Sequence, residues 1–349
     1  MASSPTHPSG RDPTIFDVAA LAGVSKSTVS NVVRGTDGVS ETTRARVERA
    51  IEILGYRPNA LARQFVRQRT TILGVLVGDL DNPFYGDIAK RVERVAFRSG
   101  YTTMFCNIEG EDDDFALSRV EALLEQRPAG VVFLAFFGRS PDIEAALGKS
   151  VPVVFAGLRE DWGDSVAVSN SLGAKLATQH LIDLGHRRIA YVTTRGVEQR
   201  AGQARHRGYQ SALRAAGAPA GPPIHWEPGG ERVTIKGREA SLREELGGPD
   251  GATAIFCSND IGAIALLEYA DRHDIRIPGD LSVVGFDDVH LASLARISLT
   301  TVRQPLDEIA RVSVETVLAR MAGDLVGPPR HLQVSPSLVV RASTAPPAA

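Results

Sequence analysis

Residues 14–66 read TIFDVAALAGVSKSTVSNVVRGTDGVSETTRARVERAIEILGYRPNALARQFV, and the punctuation of this stretch decides the N-terminal fold. Thr14 followed three residues later by Asp17 is a capping-box pattern, and Ile15, Val18, Ala19 and Leu21 give the helix that it opens one apolar face. Ala22-Gly23-Val24 interrupts that helix, because glycine tolerates the backbone angles of a sharp turn, and Ser25 caps a second helix expected to run through Val33. Two helices joined by about three residues form a helix-turn-helix. Ala19 and Ala20 let the pair approach closely, and Val24, Val29 and Val32 face inward. Lys26, Ser27, Thr28, Ser30, Asn31 and Arg34 are left on a polar face that suits base edges and phosphates. Ser40 caps a third helix with apolar Ala45, Val47, Ala50, Ile51 and Leu54, and Gly55 is its natural stop.

Charge follows the same division. The formal net charge of -2 hides an asymmetry: residues 1–70 hold 10 Lys and Arg against 6 Asp and Glu, and the remainder holds 29 against 35. A cationic N-terminal part releases counterions when it neutralises phosphates, so its binding to nucleic acid should weaken steeply with salt. Beyond Gly55, Pro58 disfavours helix at Arg57, Asn59 is a cap, and Ala60 to Val66 would make barely two turns, too short to stand alone in water. That segment reads as a conditional helix: Arg63, Arg67 and Arg69 repel one another unless phosphate lies against them, and Phe65 is a large apolar side chain without a local core.

From Thr71 onward the periodicity changes. ILGVLVGD, YTTMFCN, GVVFLAFF and VPVVFAG are short apolar runs typical of buried parallel strands, alternating with helical stretches such as PFYGDIAKRVERVAFRSG, in which Pro83 suits a first turn. RRIAYVTT, TAIFCSND and LSVVGFDD repeat the cycle, with helices expected near 170–184, 202–216, 234–246 and 260–272. Two doubly wound parallel-sheet subdomains follow from this pattern, and such sheets hold small molecules at the carboxyl ends of their strands. At 349 residues with 43% apolar composition, the chain has material for several cores, and no apolar run approaches the roughly 18 residues of a membrane span. MASSPTHPSGRD lacks the apolar centre of a signal peptide, and Cys106 and Cys257 form no metal-ligand spacing. Both thiols are expected to be buried and structural, the compartment cytoplasmic, and no metal or cofactor is called for. No G-x-G-x-x-G after a strand, G-x-x-x-x-G-K-[ST], H-E-x-x-H or G-x-S-x-G occurs, which argues against nucleotide, zinc-protease and acyl-transfer enzymes. His186, in LGHRRIAYV, is expected to order a helix-to-strand turn rather than to act as a base.

The N-terminal segment resembles LacI/GalR-family transcription regulators: T-I-x-D-V-A, A-G-V-S, T-V-S, V-S-x-x-T-R, R-V and G-Y-x-P-N all stand at the family's spacing. The remainder resembles the periplasmic sugar-binding-protein core of that family. The resemblance implies a homodimer that binds a near-palindromic operator, represses by occupying promoters and responds to a small-molecule effector, a sugar or related metabolite, in the cleft between the subdomains. DNA contacts are implied for Thr14, Ser25, Lys26, Ser27, Thr28, Ser30, Asn31, Arg34, Tyr56, Asn59, Ala62, Arg63 and Phe65, with Lys26, Ser27 and Asn31 reading the major groove. In the family the conditional helix inserts a leucine into the minor groove; here Phe65 takes that place, which puts the central base step in doubt.

Effector contacts are implied for Phe84, Tyr85, Phe136, Ser169, Arg205, Asn259, Asp260 and Asp287, residues near strand ends. Rings stack on sugar faces, while Arg and Asp supply charge-assisted hydrogen bonds. An Asp after a strand also commonly caps a helix, and that structural alternative stays open for Asp260. Ser169-Asn170 replaces an Asp-Asn pair common at that place, so the family's usual ligand does not transfer; Trp226 is a weaker lid candidate. The expected organisation is a disordered tail 1–12, a headpiece 13–57, a hinge and linker 58–70, a core 71–343 and a disordered tail 344–349. Within the core, the N-subdomain would hold about 71–160 and 291–325 and the C-subdomain about 161–290 and 326–343. A lone solute-binding protein, or an architectural DNA-binding protein without effector, are the rival readings.

Overall fold

The structure is a computed structural model that describes residues 13–34, 38–56, 70–78, 80–108, 113–134, 141–148, 151–194, 200–247 and 251–348. It divides into two compact units, Met1–Thr70 and Thr71–Ala349.

The first unit contains α1 Ile15–Ala22, α2 Lys26–Arg34 and α3 Glu41–Leu54. Thr14 donates to Asp17 Oδ2 from both its backbone N–H and its hydroxyl, each at 2.7 Å. Gly23 sits at φ +60°, a conformation free of penalty only without a Cβ, and Val24 N donates to Ala19 O at 3.1 Å to close the turn. Ser25 Oγ accepts from Thr28 N at 3.1 Å and Ser40 Oγ from Thr43 N at 3.4 Å. Val18, Ala19, Ala22, Val29, Val32, Val47 and Ala50 are buried together, with Val24, Ile51, Leu54 and Tyr56 packed around them. A core this small leaves little margin, so helix caps weigh heavily in its stability.

In the second unit, β1 Ile72–Val77, α4 Pro83–Arg98, β2 Thr102–Asn107, α5 Asp113–Glu125, β3 Gly130–Phe133, α6 Pro141–Leu147, β4 Val153–Ala156 and β5 Asp164–Val168 follow one another. After α7 Asn170–Asp183 come β6 Ile189–Thr193, α8 Arg200–Ala215, β7 Ile224–Trp226, β8 Arg232–Ile235, β9 Arg238–Ser241 and α9 Leu242–Gly247. Then follow β10 Ala254–Cys257, α10 Asp260–Arg272, β11 Ser282–Asp287, β12 Thr300–Arg303, α11 Leu306–Ala322, β13 His331–Val334 and β14 Ser337–Val339. One sheet has the order β13-β5-β4-β3-β1-β2 and is parallel throughout. The other has the order β14-β12-β11-β10-β6-β7-β8-β9, with a parallel centre and antiparallel edges.

The chain therefore passes between the sheets three times, after β5, after β12 and after β13. Helix α11 returns to the first sheet: Gly130 in β3 lies so close to it that a Cβ there would meet Val317 Cγ2 at 2.5 Å. Arg320 on α11 clamps Asp164 of β5 at 2.7 and 2.9 Å, and the same carboxylate accepts from Arg330 N at 2.8 Å beside β13.

These pairings shift the expected subdomain boundaries. Strands β5 and β13, within the segments 161–290 and 326–343 assigned to the C-subdomain, pair in the first sheet, and β12, within 291–325, pairs in the second. Alternation of apolar residues reveals a strand; which sheet a crossing strand joins depends on distant partners. The helix expected at 234–246 is instead a β8–β9 hairpin followed by the short α9. Lys236 at φ +51° and Gly237 at φ +77° supply the two left-handed residues that a tight hairpin turn needs.

The expected disordered tail is also corrected: Thr344 Oγ1 lies 3.1 Å from Thr300 Oγ1 and 3.0 Å from His180 Nε2. Cys257 is buried and Cys106 only half-buried, both as free thiols. Among the described residues no helix is long and apolar enough to cross a membrane.

Candidate functional site

On α2 the two faces differ sharply. Val29 and Val32 lie in the core while Lys26 and Ser27 are exposed and Thr28, Ser30 and Asn31 are half-buried. The Ser25 hydroxyl lies 2.7 Å from that of Ser27 and 2.8 Å from that of Thr28, which orders the first turn. Lys26 Nζ stands 5.0 Å from the centroid of the Phe16 ring, and Phe16 is itself 63% exposed. This contact was missed in the sequence because Phe16 reads as one more helix residue. Thr14 is engaged in its capping box, and Tyr56 packs half-buried against the three-helix core. Arg34 ends α2; Asn59, Ala62, Arg63 and Phe65 lie outside the described residues.

The second unit holds a cleft of about 780 Å³. From the first sheet it receives the start of α4, where Asn82 Oδ1 accepts from Phe84 N at 3.0 Å. Phe84 and Tyr85 stand edge to face there, with centroids 5.2 Å apart. From the second sheet come the first turns of α8, bearing Arg200, Gln203 and Arg205, then Asn259 after β10 and Asp287 at the end of β11. The crossings supply Ser169, Asn170, Gln304 and the β13 residues His331 to Gln333.

Arg205 organises the floor although it is only 7% exposed. Its Nε donates to Asn170 Oδ1 at 2.8 Å, another nitrogen donates to Ser258 O, and a third lies 3.7 Å from Asp287 Oδ1. The guanidinium stacks 3.7 Å over the Phe286 ring. Asp287 Oδ1 also accepts from Gln304 Nε2 at 2.7 Å. Its backbone is left-handed at φ +124°, followed by Asp288 at φ +56°. Both oxygens of Asp288 are gripped at 2.6 Å, one by Arg303 and one by Arg341. Such backbone costs on the order of 1–3 kcal/mol per residue and persists only where its surroundings hold it, so the two arginines pin the turn that aims Asp287. Burial pushes the Asp287 carboxyl up from its ordinary value, opposed by the Arg205 charge and the Gln304 hydrogen bond.

Of the expected effector residues, Phe84, Tyr85, Ser169, Arg205, Asn259 and Asp287 meet around this cleft. Asp260 does not line it. Fully buried, it accepts from Val289 N at 2.9 Å and from the Thr301 hydroxyl, and burial, then Asp287, raises its pKa. It braces β11 and β12 from below. Phe136 lies outside the described residues. Trp226, 1% exposed, points into the core, where Nε1 donates to Gly230 O at 2.8 Å. His186 ties a turn to distant segments through Thr253 Oγ1 at 2.9 Å, Ser282 Oγ at 3.2 Å and Ala345 O at 2.9 Å. Gln304, Asn82 and Arg200 were missed: each sits in a loop or at a helix start with no periodicity to announce it. No cluster of His, Cys, Asp and Glu among the described residues is arranged to hold a metal ion.

Three helices among the described residues of the first unit, one with an outward polar face, and a two-sheet unit with a polar cleft define a DNA-binding regulator with a small-molecule pocket. Comparison with known proteins agrees in both halves. Residues 14–59 match the profile of bacterial regulatory proteins of the lacI family, and residues 178–344 match a periplasmic binding protein-like domain. The ribose operon repressor of Escherichia coli (strain K12) is 35% identical, covering 95% of this chain and 99% of that protein. The HTH-type transcriptional regulator GalR of Salmonella typhimurium (strain LT2) is 36% identical over 96% of each. Among solved structures, the lac repressor dimer bound to operator and the anti-inducer ONPF superposes with a TM-score of 0.81 at 27% identity, covering 96% of this chain and 100% of that one. The chain belongs to the lacI family of bacterial transcription regulators. It is a DNA-binding regulator rather than an enzyme.

Proposed function

We propose that the chain acts in the cytoplasm as a homodimeric repressor of a near-palindromic operator, switched by a sugar or related metabolite in the cleft. The observation that carries this reading is the two-sidedness of α2, whose valines anchor it while Lys26, Ser27 and Asn31 stand on the opposite side. A dimer presents two such helices to successive half-sites, with Thr14, Ser25, Thr28, Ser30, Arg34 and Tyr56 contributing further contacts and Asn59, Ala62, Arg63 and Phe65 approaching the minor groove. In the cleft, Phe84 and Tyr85 offer apolar walls, while Arg205, Asn259 and Asp287 offer hydrogen bonds. An effector changes DNA affinity only by the difference in its affinity for two states of the core, typically about 1–3 kcal/mol of coupling.

Fluorescence anisotropy of the full-length protein with promoter fragments tests the reading. Binding that is sequence-selective and falls steeply as salt rises is expected. Equal affinity for every sequence, or none at all, would overturn it. Phe65→Ala should weaken specific binding far more than non-specific binding.

A further inference from the structure

Among the described residues of the first unit, the large apolar side chains that stand exposed are Phe16 at 63%, Leu21 at 50% and Ile53 at 54%. Leu21 and Ile53 each precede the last residue of a helix, α1 and α3 respectively. Phe16 belongs to the first turn of α1 and takes no part in the three-helix core. Its neighbour across the fold is Lys26, the first residue of α2, whose Nζ lies 5.0 Å from the ring centroid.

That neighbour fixes where the ring stands. In a helix-turn-helix the N-terminal residues of the second helix meet base edges in the major groove, so a ring beside the first residue of α2 lies at the end of the helix that faces the bases. Among the described residues Lys26 makes no ion pair. Its ammonium is left for DNA, and the ring beneath it narrows the directions it can take. The excess of Lys and Arg over Asp and Glu in residues 1–70 favours a polyanion on this side of the unit.

A phenyl ring has no donor or acceptor, which leaves it one kind of partner among the bases. The major-groove edges of guanine, cytosine and adenine present hydrogen-bonding groups, whereas thymine presents its C5-methyl beside O4. Seating an exposed ring on that methyl removes apolar surface of both from water. Seating it on an amino or carbonyl edge strips a polar group of water and returns no hydrogen bond. We propose that Phe16 is a specificity-determining residue whose ring packs on the C5-methyl of one thymine in each operator half-site, beside the contact made by Lys26. The inference rests on the proposed base readout by α2 and adds a residue of α1 to it.

Enrichment of a randomised duplex library on the full-length protein supplies the preferred site. Each thymine of that site is then replaced in turn by deoxyuridine, which deletes the methyl and keeps the pairing, and affinity is read by fluorescence anisotropy. One thymine in each half-site should lose about fourfold on replacement, the worth of one buried methyl, and about fifteenfold when both half-sites are changed. In Phe16→Ala the same replacements should make no difference. Phe16→Leu, which keeps an apolar contact and gives up the cation–π one, should retain part of the penalty. Half-sites without thymine, thymines indifferent to loss of the methyl, or a penalty that persists in Phe16→Ala overturn the inference and leave the operator reading standing. A penalty abolished in Phe16→Leu as completely as in Phe16→Ala makes the ring a brace for Lys26 and also overturns it. A library that yields no preferred site overturns the operator reading and the inference with it. Should Phe16→Ala fail to fold, Phe16→Leu still decides: a smaller penalty than in the unaltered protein is expected, and an undiminished one overturns the inference.

Discussion

The polar surface of α2 and the polar floor of the cleft are built from similar side chains under opposite conditions. On α2 the functional candidates run almost consecutively from Ser25 to Arg34, and Lys26 and Ser27 stand in water. In the cleft Arg205, Asn259, Asp287 and Gln304 are each less than a tenth exposed and come from four separate segments. Exposed groups exchange water for phosphate or base at small cost, so their effects are individually modest and governed by salt. Buried groups must satisfy one another, and removing one strands its partners.

The largest consequence is expected at Arg205. Arg205→Ala leaves the Asp287 carboxylate buried beside an emptied site and frees Asn170 Oδ1 and Ser258 O. Truncating one partner of a buried charge pair costs about 2–5 kcal/mol, so effector affinity measured by calorimetry should fall by about thirtyfold or more. Operator affinity without effector, and its dependence on salt, should be unchanged. An effector affinity within threefold or so of the parent would place the site elsewhere.

At α2 the expected losses are smaller and of two kinds. Asn31→Ala should cost about 1–3 kcal/mol for the best operator and little for random DNA, flattening sequence preference. Lys26→Ala should weaken all sequences alike and lower the slope of log affinity against log salt by about 1. If both substitutions only shift the salt slope, α2 holds phosphate and base readout lies elsewhere.

Acid separates the two regions further. The buried Asp287 carboxyl is pushed up from 3.8 to about 6, and it accepts hydroxyl hydrogens best when ionised. Effector affinity should therefore hold at neutral pH and decline as pH falls through about 6. The stability effect has the opposite sign: between 3.8 and about 6 the folded form binds more protons than the unfolded form, so this group's contribution is fully favourable below 3.8 and is lost as pH rises through about 6. Calorimetric titrations across this range check the first statement, and urea unfolding of Asp287→Asn against the parent checks the second. Affinity that rises in acid would mean that Asp287 binds as a neutral acid.

How much was legible follows the same contrast. The headpiece could be read because capping, turn and apolar spacing are local: Thr14, Gly23, Ser25, Ser40 and Gly55 each announce a backbone event within a few residues. The strands β1 to β4, β6, β10 and β11 were equally plain as apolar runs, and with them the strand-end residues Asn259 and Asp287. Gln304 was not legible, because its place in the cleft arises from contact with Asp287, 17 residues away, and its carbonyl finds no partner among the described residues. Asp260 stands one residue from Asn259 yet turns beneath the sheet, since the start of α10 directs successive side chains to different sides. The β8–β9 hairpin was hidden because Lys236-Gly237 is a weak turn signal inside a charged stretch, and β5, β12 and β13 because crossing strands are assigned by pairing rather than by composition.

The smallest effect offers the cleanest test of the contrast, because the same interaction occurs in both units. Ser40 Oγ caps α3 through Thr43 N at 3.4 Å, and Asn82 Oδ1 caps α4 through Phe84 N at 3.0 Å. Loss of a cap to alanine costs about 0.5–2 kcal/mol; the long, exposed bond at Ser40 belongs at the lower end of that range. In a unit with so few buried residues, Ser40→Ala should still lower the headpiece melting transition by a few degrees, since about 1 kcal/mol shifts a small domain by roughly 4–8 °C. Effector binding should not notice. Asn82→Ala removes a cap from a helix seated on a large core, so the melting shift of the second unit should be smaller, about 2–4 °C per kcal/mol. Yet Asn82 lines the cleft and sets the turn bearing Phe84 and Tyr85, so effector affinity should fall by severalfold. Differential scanning calorimetry and effector titration of the two variants measure both quantities. A large melting loss with unchanged effector affinity in Asn82→Ala would show that the start of α4 is scaffold, and that the cleft reads its ligand from the second sheet and the crossings alone.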